Sequence, residues 1–123
     1  MYTLDTNAII YYLKEDEGVV PVIQDIFGRN AQVYVSTITE TELFSFSFLS
    51  DEEAVQINDL LRTVSLIPLD SQIARIAGTL RRTYGVKIPD AVIAATALFT
   101  GSTLLTRNTR DFKKIPPLSV QRI

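Results

Sequence analysis

Apolar positions recur along this chain in two alternating rhythms. Short apolar runs at Tyr2 to Leu4, "AQVYVST", "SLIPL", "TLLT" and "LSVQRI" read as strands. Between them, apolar residues return at intervals of three and four, the spacing of a buried helix face. That spacing predicts helices over residues 7 to 14 and 19 to 28, the second with Pro21 near its start and Val22, Ile23, Ile26 and Phe27 on one side. Thr37 followed by Glu40 matches a capping box and opens a helix over residues 38 to 49. Ser50 with Glu53 repeats the signal for the next helix. Residues 71 to 84 form the clearest amphipathic segment, with Ile73, Ile76, Ala77, Leu80 and Tyr84 on one stripe and Gly85 as its stop. Pro89 starts a helix through Thr100 that is apolar nearly all round and so belongs in the core, and Gly101 ends it. Strands separated by helices require crossover connections, which predicts an α/β sandwich with a central, mostly parallel sheet covered on both faces. No repeat or Pro/Gly/Ser-rich linker divides the 123 residues, so one domain is expected over 1–123.

Composition narrows the chemistry. The chain has no cysteine and no histidine, which removes disulfides, thiolate nucleophiles, sulfur-bound zinc and the commonest general base. Carboxylates, hydroxyls, amides, Lys, Arg and Tyr remain. The longest apolar stretch, around residues 91 to 99, is too short to span a bilayer, and a soluble cytoplasmic protein is expected. The formal charge of -2 hides an asymmetry: residues 1 to 61 carry 2 basic and 11 acidic side chains, residues 62 to 123 carry 10 and 3. Lys87, Arg107, Arg110 and Lys113 in the basic half are candidates for phosphate contact, although nothing in the sequence interleaves them with an aromatic platform.

Ligands of open parallel sheets bind at the carboxyl ends of the strands, and four acids map there. Asp5 ends the first strand, Glu42 follows the second, Asp90 opens the buried helix and Asp111 lies just past "TLLT". At about 100° per residue, with Ile38 at zero, Glu42 falls near 40° and Phe46 near 80°, inside the apolar arc, whereas Glu40 falls near 200°, outside it. A carboxylate turned towards a core is costly unless paired or bound to a metal. Each acid has an ordinary alternative: a cap for Glu40, a buried ion pair for Glu42, a favourable helix dipole for Asp90, a turn for Asp111. Thr96, alone among apolar neighbours, is expected to bond back to a preceding carbonyl. Together, several carboxylates at one place need a compensating cation, and hard oxygen donors select magnesium or manganese over zinc. Phosphodiester or phosphoryl cleavage is the chemistry implied.

"LDTNAII", "STITETEL", "IPDAVIAATAL" and "LLTRNTRDF" occur in that order and span nearly the whole chain. Together they resemble the PIN domain, in particular the VapC-type toxins of prokaryotic toxin-antitoxin operons. The resemblance implies a three-layer PIN-like sandwich and a Mg2+- or Mn2+-dependent ribonuclease, usually homodimeric, with RNA as substrate. A small antitoxin protein would be the partner, its tail covering the acidic cleft. By position, Asp5, Glu42 and Asp90 match the family's three core acids. The fourth place falls to Asp111 by preference, with Asn108 as a weaker polar ligand. Thr6, Asn7 and Thr106 resemble the small polar residues lining the family's site, and Thr6 and Asn7 can also cap the following helix.

Two rivals remain. A haloacid-dehalogenase-type phosphatase also places Asp after its first strand, but its second acid would fall at residue 7, which is Asn7. A PIN scaffold that binds RNA or a partner without cutting is the other. Phe44 and Phe48 lie away from the Glu42 face of the helix expected over 38 to 49 and are expected to pack against the helix that follows Ser50.

Overall fold

The computed structural model describes residues 1–123. Five strands, β1 (Tyr2–Leu4), β2 (Val33–Ser36), β3 (Ser65–Ile67), β4 (Thr103–Thr106) and β5 (Val120–Arg122), form one sheet in the order β3-β2-β1-β4-β5. Every pair is parallel, so the sheet is wholly rather than mostly parallel. Seven helices connect the strands: α1 (Thr6–Leu13), α2 (Val20–Gly28), α3 (Thr37–Leu43), α4 (Asp51–Leu61), α5 (Ser71–Tyr84), α6 (Ile88–Thr100) and α7 (Thr109–Phe112).

Adjacent strand residues point to opposite faces, and the core divides accordingly. Leu104 joins Ile73, Leu80, Phe112, Ile115 and the alanine-rich face of α6, while Leu105 joins Leu4, Val35 and the apolar sides of α1 to α4. Helix α6 is buried without a break from Ala91 to Ala97, as its all-round apolar sequence requires. Its interior Thr96 donates to the carbonyl of Val92 at 2.9 Å, which satisfies the hydroxyl without leaving the helix. Small side chains there let the helix lie close against β1, β2 and β4. Replacing the fully buried Ala94 by Leu is therefore expected to cost about 1–3 kcal/mol through overpacking, read as a lower Tm in thermal denaturation.

Local signals mostly do what their chemistry dictates. Ser50 and Glu53 form a complete capping box, and Gly85 and Gly101 end their helices at φ 71° and 65°. Three details differ from the sequence expectation. The residue capping α3 is Ser36, whose hydroxyl accepts from the Ile38 N-H; Thr37 instead accepts from the Leu69 N-H, so no box forms with Glu40. Asp5, not Thr6 or Asn7, caps α1. Helix α3 stops at Leu43 instead of running on to residue 49. There, the Ser45 hydroxyl and amide both bond to the Glu42 carbonyl, closing the helix end, and the aromatic-serine sequence beyond has little propensity to continue. The early stop leaves Phe44 and Phe48 exposed, Phe48 at 97 %, so neither is buried against α4 as expected.

Candidate active site

The sheet order reverses between β1 and β4: from β1 the chain moves outward to β2 and β3, then crosses back to β4 and β5. A crevice forms at the carboxyl edge of such a reversal. Asp5 leaves β1 there and Thr106 ends β4 beside it. The Thr106 hydroxyl donates to Asp5 Oδ2 at 2.5 Å, the Ala8 N-H donates to Asp5 Oδ1 at 2.8 Å, and the Asn108 N-H donates to Thr106 Oγ1 at 2.9 Å. Asp5 is only 4 % exposed. Burial pushes its carboxyl above the ordinary carboxylate range, against the pull of Thr106 and Ala8, and the nearby charges of Asp90 and Glu42 add to the rise.

Glu42 and Asp90 arrive from helices over the same crevice. Thr6 directs its hydroxyl to Glu42 Oε1 at 2.5 Å, with Thr39 Oγ1 as a second acceptor at 3.1 Å, which fixes Glu42 to the start of α1. Asp90 sits in the first turn of α6, half-buried. Burial first, then the fields of Asp111 and Glu42, push its carboxyl up, with Lys87 opposing. Asp5, Thr6, Asn7, Glu42, Asp90 and Asn108 share a cavity of about 230 Å3, completed by Ile10, Ser45, Phe46 and Ile93. A larger groove of about 710 Å3 lies between α1, α2 and α4, but it gathers only Glu15 and Asp59 against the three acids of the smaller cavity, which is therefore the candidate site.

The two candidates for the fourth position differ in placement. Asn108 lines the cavity and Asp111 does not; Asp111 stands behind it in α7, accepting from Asn108 Nδ2 at 3.0 Å and lying 3.8 Å from the Lys114 ammonium. That bond points the amide nitrogen of Asn108 away and leaves its Oδ1 without a hydrogen bond. Arg107 is also placed differently. Its guanidinium pairs with both oxygens of Asp16, at 2.6 and 3.0 Å, lies 4.5 Å from the centre of the Tyr11 ring and donates to the Ile123 carbonyl. Asp16 is held below the usual carboxylate range by this bonding. Arg107 is therefore committed to joining the α1–α2 turn to the C-terminal strand, whereas Lys87, Arg110 and Lys113 are exposed. Arg107→Met is expected to lower Tm and to loosen the β4–α7 turn that carries Asn108, checked by thermal denaturation and by amide exchange at residues 106 to 109.

The carboxylates do not form a closed cage: no three or more acidic side chains stand at metal-holding distances. The donor set nonetheless fits magnesium or manganese. All of its ligating atoms are hard oxygens, and magnesium is commonly held by one or two carboxylates plus waters and substrate phosphate rather than by an all-protein shell.

An α/β sandwich with three acids over the switch point of a parallel sheet defines a class, and the comparison with known families agrees. Residues 2–117 match the family described as PIN domain, and the chain belongs to it. It is 31 % identical over 130 residues to "Ribonuclease VapC1" of Haemophilus influenzae, covering 98 % of this chain and 96 % of that protein. It is 26 % identical over 123 residues to "Ribonuclease VapC19" of Mycobacterium tuberculosis, covering 96 % and 97 %. Among solved structures it resembles a toxin-antitoxin complex from Klebsiella pneumoniae, with TM-score 0.81 and 29 % identity over all of both chains. The fold also matches VapBC2 from Rickettsia felis at TM-score 0.86, covering 99 % and 98 % of the two chains. No helix is long and apolar enough to cross a membrane.

Phe46, Ser45, Ile10 and Ile93 complete the lining beyond the residues that the sequence singles out. A signal existed for Phe46, which shares the apolar arc with Glu42. None existed for Asp16, whose pairing with Arg107 joins positions 91 residues apart.

Proposed function

We propose that the chain is a Mg2+- or Mn2+-dependent endoribonuclease acting as the toxin of a toxin-antitoxin pair. One observation carries the reading: Asp5, Glu42 and Asp90, supplied by β1, α3 and α6, face one cavity at the carboxyl edge of the sheet. The relatives named as ribonucleases support the substrate class. Bound there, the cation would supply charge for phosphate oxygens and make a bound water more acidic.

The chain's own residues set up the rest. Asp5 and Asp90 would hold the cation, assisted by Oδ1 of Asn108, while Asp111 orients Asn108 from behind. Glu42, steadied by Thr6, is placed to orient the attacking water and accept its proton. Asn7 lines the mouth of the same cavity. Lys87, Arg110 and Lys113 bind phosphates on either side of the cleaved bond, an attraction that weakens with salt.

The partner is a small antitoxin, a reading supported by the toxin-antitoxin complex from Klebsiella pneumoniae. A path for it exists. The acidic cavity shares Ile10 and Phe46 with an apolar recess, which shares Leu13 and Gln56 with the 710 Å3 groove, so one extended segment along this path would cover the acids. A homodimer completes the proposal, and the exposed Leu69 and Ile88 beside the α5–α6 groove offer an apolar face for a second copy. The test is incubation of the antitoxin-free protein with total RNA and manganese. Discrete cleavage, lost in Asp5→Asn, is the expected result; RNA left intact would leave a binding scaffold as the function.

A further inference from the structure

We infer that Phe46 stacks on an unpaired nucleobase next to the cleaved phosphodiester, making its ring a base-binding rim of the active site. The inference rests on the ribonuclease reading and names the part of the substrate that this chain grips beyond the phosphate.

Phe46 is the only aromatic residue lining the acidic cavity, and the residue is 53 % exposed. No aromatic pair within the fold involves it. A ring left half in water is a cost unless something covers it. Its position is fixed: α3 ends one turn earlier, the Ser45 hydroxyl holds the Glu42 carbonyl, and the Leu49 N-H bonds to the Phe46 carbonyl. The same short turn therefore sets both the catalytic Glu42 and the ring.

Cavity size points to a base as the occupant. At about 230 Å3 the cavity is below the roughly 300–1,000 Å3 of sites that enclose a whole drug-sized ligand. A phosphodiester seated on the acids must therefore leave its flanking bases at the rim, where Phe46 stands. Base-on-aromatic stacking tolerates any sequence, because every base presents a π-face. It also needs single-stranded RNA, since a base in a duplex has no free face to offer. A protein segment along the neighbouring recess would cover the same ring and so displace the base, which makes stacking and inhibition mutually exclusive.

The experiment compares wild type, Phe46→Ala, Phe46→Tyr and Phe48→Ala on one short single-stranded RNA, intact or with an abasic nucleotide beside the cleaved bond. Phe46→Ala is expected to raise KM by roughly 5- to 150-fold, the range that loss of one stacked base allows. Phe46→Tyr should restore KM, and Phe48→Ala, whose ring lies outside the cavity, should leave it unchanged. The abasic RNA should penalise wild type but add nothing to Phe46→Ala, because both remove one contact. Wild-type KM in Phe46→Ala, an equal loss in Phe48→Ala, or additive penalties would overturn stacking. So would a Phe46→Ala protein that cleaves normally yet escapes inhibition by a partner, since the ring would then serve a protein. Failure of the wild type to cut either RNA would instead reject the ribonuclease reading, and the inference with it.

Discussion

Asp90→Asn is expected to cut RNA cleavage by at least about a hundred-fold, since even residues that only support a metal ligand cost 10- to 100-fold when lost. In cation-free buffer at neutral pH the same change is expected to raise Tm. The two effects have opposite signs for one reason. Asp90 accepts no hydrogen bond in the fold, and burial, Asp111 and Glu42 all disfavour its charge, with only Lys87 in support. Asparagine keeps the shape and removes the repulsion, at the loss of a modest interaction with the N-terminus of α6. Asp5→Asn should lose activity to a similar degree without that gain, because its carboxylate accepts from both Ala8 and Thr106. Denaturation in EDTA paired with a cleavage assay reads both quantities. A fall in Tm for Asp90→Asn, or cleavage near wild type, would remove Asp90 from the metal site and leave it a helix cap.

Much of this arrangement is legible in the sequence, because it depends on short-range chemistry. The stripe Ile73, Ala77 and Leu80 buries as its spacing requires, Gly85 and Gly101 stop their helices, and Ser50 with Glu53 closes its box. The strand ends carry Asp5 and Thr106 to one edge because parallel crossovers leave no other place for them. What stays hidden depends on competition or on distance. The end of α3 turns on a serine hydroxyl bonding three residues back, a contest that periodicity does not register. Asp16 and Arg107 meet only through the tertiary fold, so a basic residue that seems free for phosphate is already paired. The order of Asn108 and Asp111 depends on the geometry of the single turn of α7, which the sequence suggests only as a loop acid.

Removing divalent cations is expected to abolish cleavage, and magnesium or manganese to restore it; the sharper expectation concerns stability against pH. Asp5 and Asp90 have folded-state carboxyls raised above their ordinary 3.8. In the interval above that value the folded chain binds more protons than the unfolded one, so stability falls as pH rises through the folded pKa values. Asp16 and Glu53, held low, contribute the opposite slope, losing their stabilisation only as pH drops below the ordinary carboxylate range. Without metal, Tm should therefore rise as pH is lowered from neutrality through the range where these two carboxyls take up protons, then fall under stronger acid. Manganese should invert the first trend, because it competes with protons for the same oxygens and binds best where they are ionised. At a hundred times its dissociation constant, a cation that binds only the folded state contributes about 2.7 kcal/mol, on the order of 10 °C in Tm for a chain of this size. That gain should be largest at neutral pH, shrink at a mildly acidic pH, and vanish in the Asp5→Asn/Asp90→Asn double variant. A manganese shift equal at both pH values, or one that survives in the double variant, would place the cation somewhere other than this cleft.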